Sequence, residues 1–157
     1  MSDHTVKAFT DELEGLISTV SRMGGLAERA VIDSIRAITK RDVSLAHKVV
    51  ANDKDVDILQ RDIENRVMRI LALRQPMAKD LRQTIAALKL ANDIERIGDL
   101  AKNIAHRTST IIEAEPIALT KSIDRMGKLA CAQLKQVLDA YNSHHIGTAI
   151  SVWFQDE

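Results

Sequence analysis

Apolar residues recur at threes and fours through nearly the whole chain, and that spacing limits it to helices. Only two prolines and six glycines interrupt 157 residues, and strand-like alternation is nearly absent. Helix 1 is predicted from about Thr5 to Thr39, with Phe9, Leu13, Leu16, Ile17, Val20, Met23, Leu26, Ala30 and Ile38 along one face. Asp42 suits the N-cap of helix 2, whose seam is Leu45, Val49, Val56, Leu59, Ile63, Val67 and Ile70. Arg74 and Gln75 form the turn, and Pro76 is expected at the first position of helix 3, which runs to about Thr110. Ser109-Thr110 and Glu115-Pro116 mark the next break. Helix 4 is expected from Ala118 to Tyr141, and Asn142-Ser143 leads to the apolar segment Ile150–Phe154. Long helices with short connections predict an all-α antiparallel bundle.

The chain also resembles itself. At an offset of 103 residues, Arg22-Met23-Gly24 matches Arg125-Met126-Gly127 and Leu26-Ala27 matches Leu129-Ala130. Ala37, Ala46, Val49 and Asp53 then match Ala140, Ala149, Val152 and Asp156, nine identities where chance gives about two. This predicts a duplicated three-helix unit whose second copy stops short: a three-helix bundle over residues 1–112 and a partial repeat over 113–157. Trp153 and Phe154 are then expected with little to cover them, which favours self-association into a homo-oligomer.

Within the hairpin of helices 2 and 3 the acids are arranged in register. Asp53 and Asp57, and again Glu95 and Asp99, are four residues apart, so each pair leaves one helix face. Asp53 and Asp99 both lie 23 residues from Pro76, and Asp57 and Glu95 both lie 19. An antiparallel hairpin about Pro76 therefore sets the four carboxylates opposite one another. The helical wheel puts Leu90, Ile94, Ile97, Ala101 and Ile104 on the core face of helix 3 and Glu95 and Asp99 on the far side, an outer surface of the hairpin. Such stripes are commonly solvated faces with ion pairs, and Lys54, Arg61, Arg96 and Lys102 are available partners. Like charges stacked across two helices nevertheless repel unless a cation neutralises them. Carboxylate oxygens suit divalent or trivalent ions: iron, zinc, manganese or magnesium. Asp53, Asp57, Glu95 and Asp99 are the candidate ligands, with Asp93 and Asn103 as secondary candidates.

Other chemistry is absent from the sequence. There is no phosphate-cradling glycine loop, no CxxC pair, no nucleophile elbow and no Glu-x-x-His of di-iron bundles. No enzyme is expected. His106 reads as a surface residue near the helix end, His144-His145 as a solvated turn, and Cys131 as a small core residue. Zero net charge and 3% aromatics remove the usual basis for nucleic-acid binding. One cysteine, no apolar leader and no apolar run of about 18 residues predict a cytoplasmic protein.

The run Asp93-Ile94-Glu95-Arg96-Ile97-Gly98-Asp99-Leu100-Ala101-Lys102-Asn103-Ile104-Ala105 resembles the signature of the PhoU family of phosphate transport and signalling regulators. Asn52-Asp53-Lys54-Asp55-Val56-Asp57 is similar to that family's preceding acidic motif, and Gln75-Pro76-Met77-Ala78-Lys79-Asp80-Leu81-Arg82 to its linking turn. The resemblance implies two tandem three-helix bundles with metal-binding E/D-x-x-x-D motifs, here Asp53/Asp57 and Glu95/Asp99. It implies a non-enzymatic adaptor acting with the Pst phosphate importer, through its ATPase subunit PstB, and with the sensor kinase PhoR. Such an adaptor reaches the membrane only through partners and restrains uptake and signalling when phosphate is plentiful. A metal-binding bundle without signalling, a helical metal enzyme or store, and a self-associating structural protein are the competing readings.

Overall fold

A computed structural model describes residues 2–111 and 120–156, and among them the chain forms five α-helices and a closing 3-10 turn. Helix α1 spans Ser2–Lys40, α2 Val43–Arg74, α3 Ala78–Ile111, α4 Thr120–Ser143 and α5 Ile146–Trp153. No strand occurs among the described residues. The all-α expectation holds, with α1, α2 and α3 packed on one another and α4 against α1.

Asp42 caps α2 as expected, accepting a hydrogen bond from the Leu45 amide at 2.9 Å. Six of the seven predicted seam residues are buried in α2; Ala46 joins them and Leu45 stays partly exposed. The hairpin turn differs from expectation. Gln75 and Ala78 adopt left-handed backbone, at φ 47 and φ 45, and α3 starts at Ala78. Pro76 therefore lies in the turn, not at the first helical position. Its ring disfavours α geometry in the residue before it, and Gln75 caps α2 in the left-handed region. Arg74 then ties the hairpin end to α1 through a two-pronged ion pair with Glu12, at 2.7 and 3.0 Å.

Helix α3 is rotated relative to the predicted core face. Its buried stripe is mostly small: Ala87, Ala91, Gly98, Ala101 and Ala105, with Ile94, Thr84 and Thr108. Leu90 and Ile97 sit at the edge of the core. Both α1 and α2 pack closely against α3, and alanine and glycine permit that approach. A wheel weighted by large side chains points past such a stripe.

Helix α3 continues through Ser109-Thr110 to Ile111, where the helix bonds outlast the predicted break. Glu115-Pro116 and Ala118 lie outside the described residues. Helix α4 passes through Asn142 to Ser143, and His145 starts α5, its Nδ1 accepting from the Thr148 amide at 3.1 Å. So His145 is a capping residue, not only a solvated one.

The α1–α4 contact is reciprocal. A Cβ at Gly24 would overlap the Leu138 side chain, and one at Gly127 would stand 2.8 Å from Ile35 Cγ1. The 103-residue offset relates Gly24 to Gly127 and Ile35 to Leu138, so each glycine receives the counterpart of the other's neighbour. Cys131 is buried where α4 meets α1, its Sγ 3.9 Å from the carbonyl oxygen of Glu28, its own counterpart. That pattern is a local pseudo-two-fold.

Candidate functional site

The two hairpin arms pair in the register the sequence predicts. Gln60 Nε2 donates to Asn92 Oδ1 at 3.2 Å, and both residues lie 16 positions from Pro76. One turn further from the hairpin end, Asp57 and Glu95 approach; beyond them stand Asp53 and Asp99. Gly98 lies against the same seam: a Cβ there would stand in ordinary contact, 3.5 Å from Val56 Cγ1 and 3.7 Å from Asp53 Oδ1. All four carboxylates are partly buried. The Asp53 side chain is only 10% exposed and that of Asp99 is 44% exposed, so the patch runs from the α2–α3 seam out to the surface.

A cation already stands between the acids, and it is Lys102. Its Nζ donates to Asp53 Oδ2 and to Asp99 Oδ1, each at 2.5 Å. Lys102 is one of the ion-pair partners the sequence offers, i,i+3 from Asp99 and reaching across to α2. The hydrogen bond from Lys102 holds the Asp99 carboxyl below the usual carboxylate range. The same bridge, with the Asp53 bond first, raises the Lys102 ammonium well above its ordinary value. Among the described residues Glu95 takes part in no ion pair. Burial pushes its carboxyl up, and the charges of Asp99, Asp57 and Asp53 push it further in the same direction. The patch is thus one ammonium serving two carboxylates, with a third carboxylate electrostatically frustrated beside them.

The donor chemistry fits a hard cation, since Asp53, Asp57, Glu95 and Asp99 all offer carboxylate oxygen. The arrangement itself is occupied by Lys102, and among the described residues no three acidic, histidine or cysteine side chains converge tightly enough to hold an ion. Asp93 and Asn103 are exposed on neighbouring faces of α3. His106 is exposed one turn and more beyond the patch.

The PhoU domain profile matches residues 20–108, a span that contains the hairpin and all four acids. The chain belongs to the PhoU family. It is 52% identical, over its whole length, to the "Phosphate-specific transport system accessory protein PhoU homolog" of Caulobacter vibrioides, covering 69% of that protein. The homologue of the same name from Rhizobium meliloti is 41% identical over 98% of this chain, which spans 65% of it. The crystal structure of PhoU from Pseudomonas aeruginosa superposes with a TM-score of 0.86 at 35% identity, over 91% of this chain and 69% of that one. PhoU proteins are accessory and regulatory, and this chain is not an enzyme. No helix among the described residues is long and apolar enough to cross a membrane.

Proposed function

We propose that this chain is a cytoplasmic negative regulator of phosphate uptake and phosphate-starvation signalling. It acts as an adaptor between the Pst importer, through its ATPase subunit PstB, and the sensor kinase PhoR. The observation that carries this reading is the 52% identity over the full chain to a protein named as a phosphate-specific transport accessory. Long packed helices suit an adaptor, since they hold rigid faces toward partners that bring it to the membrane. Deleting the gene is expected to switch on phosphate-starvation genes in rich phosphate. Re-expressing residues 1–157 should restore repression; normal repression in the deletion strain overturns the reading.

A second element of the proposal is metal uptake at the patch. Asp53, Asp57, Glu95 and Asp99 are the ligands, and the frustrated charge on Glu95 supports the reading. A bound iron, zinc, manganese or magnesium ion would supply positive charge joining α2 to α3. Lys102 has to swing out for it to enter, so the ammonium and the ion compete. Elemental analysis of protein purified without chelator checks this. Metal should rise in Lys102→Ala and vanish in Asp53→Asn/Asp99→Asn; no metal in either wild type or Lys102→Ala rejects it.

A further inference from the structure

Beyond the acidic patch, toward the free ends of the hairpin arms, the α2–α3 seam opens into a cavity of about 370 Å³. Ala46 on α2 and Ala105 on α3 form its floor, and both are buried. Small side chains at a helix contact let the two axes approach closely.

His47 and His106 each follow a floor alanine in sequence, and they line the cavity from opposite arms. A step of about 100° per residue carries each off the contact line. Because the arms run antiparallel, both steps turn to the same side of the seam. The hairpin register sets the two level: His47 lies 29 residues before Pro76 and His106 lies 30 after it. Gln60 bonded to Asn92 fixes that register. Both imidazoles are exposed, so solvent ions reach them.

Among the described residues no carboxylate, ammonium or guanidinium lines the cavity; the remaining polar group is the Ser109 hydroxyl. Lys48 and Arg107 stand a further step of about 100° round their helices, turned away from the seam. Lys102, one turn before His106, has its ammonium bound to Asp53 and Asp99, which offset its charge. The site therefore offers neutral nitrogen without a carboxylate. Imidazole nitrogen selects borderline ions such as zinc, nickel and copper over magnesium or calcium.

We propose that His47 and His106 together bind one zinc-class divalent ion, through one ring nitrogen each, with water completing the shell. Seven residues, about 10 Å along α3, separate His106 from Asp99, so this ion is distinct from any ion held by the acids. It braces the arms at the end opposite the Pro76 turn. Held by two protein donors only, it exchanges with solvent: purification strips it, and equilibrium titration detects it. The proposal rests neither on the phosphate role nor on metal at the carboxylates.

Proton NMR of the histidine rings reads the ligands themselves. Zinc is titrated into the metal-stripped full chain, which has five histidines. Two C2-proton signals should shift together and saturate at one equivalent, and H47Q and H106Q should each remove one of them. In each variant the remaining imidazole should need at least tenfold more zinc, since one ligand no longer raises the effective concentration of the other. H144A/H145A should leave both shifts unchanged, and so should excess magnesium, which competes only for carboxylates. The two side chains are exposed, and the wild-type spectra decide even without the variants. Two signals with different zinc affinities, no shift, or displacement by magnesium overturns the proposal. So does an unchanged response of either histidine after loss of the other, which identifies adventitious binding to single imidazoles.

Discussion

Met23 and Met126 hold the same place in the internal repeat, yet Met23 is fully buried and Met126 is 68% exposed. Ala27 and Ala130 differ likewise, and so do Leu26, partly buried, and Leu129, 57% exposed. The residues match; what surrounds them differs. Around α1, helices α2 and α3 close the apolar face, whereas among the described residues α4 meets α1 on one side and the eight-residue α5 on another. An amphipathic pattern therefore states which face wants burial, and the neighbours decide whether it is buried. The glycines teach the converse. Gly24 and Gly127 are both buried, because they lie in the one contact, α1 on α4, that the pseudo-two-fold makes alike for both copies.

The methionines give the largest expected difference. Met23→Ala should cost about 2–5 kcal/mol, the usual range for emptying a closed core site. Met126→Ala should cost under about 0.5 kcal/mol, since nothing there is emptied. Chemical denaturation of both variants measures the gap, and equal losses would mean that the α4 face is covered in solution.

The glycines come next. Gly127→Ala forces a methyl against Ile35, a stiff β-branched neighbour, and should destabilise by about 1–3 kcal/mol. Gly25, one residue beyond the contact, has nothing within 4 Å of its Cβ position. There alanine should stabilise by about 0.5–1 kcal/mol through helix propensity alone. Thermal melts of G127A and G25A should move in opposite directions.

Much of this was legible in the sequence. The helical period, the Asp42 cap, the α2 seam and the mirrored register of the acids follow from spacing, because large apolar side chains and i,i+4 geometry leave strong local signals. The α3 core face did not follow: its stripe of alanines and Gly98 carries little hydrophobic weight, and only tertiary contact reveals it. The depth of Asp53, whose side chain is only 10% exposed, was hidden too, because it depends on how α2 and α3 pack. For Lys102, the i,i+3 spacing to Asp99 was visible, whereas the bridge to Asp53 depends on how closely α2 and α3 pack. Pro76 misled for a different reason, since a proline that suits a first helical turn also suits the loop before it.

The acidic patch exists only where two long arms face each other, which extends the comparison to charge. Lys102→Met should cost about 1–2 kcal/mol, after screening of partly exposed groups, because Asp53 at 10% exposure loses its cation. Urea titration in chelator checks it, and a loss indistinguishable from zero would show that the bridge contributes little in water.

Glu95 offers the smallest effect and the most diagnostic sign. Its carboxyl is raised by burial and by Asp99, Asp57 and Asp53, so the folded chain holds that proton more tightly than the unfolded chain does. Stability from this group is then fully present below the unfolded value and falls as pH rises through the folded one. At neutral pH the ionised Glu95 costs stability, and E95Q removes the cost while keeping an amide able to donate to Asp99. The variant should be more stable than wild type at pH 7 by under about 1 kcal/mol. The gain should shrink toward zero as pH drops below the ordinary glutamate range, where wild-type Glu95 is protonated in both states. Asp99, lowered by Lys102, acts with the opposite sign and loses its contribution on acidification, so the comparison is made between variant and wild type at each pH. Denaturation midpoints across pH 3 to 8 in chelator read it out, and a variant less stable at pH 7 would show that Glu95 is held by a cation rather than crowded by like charge.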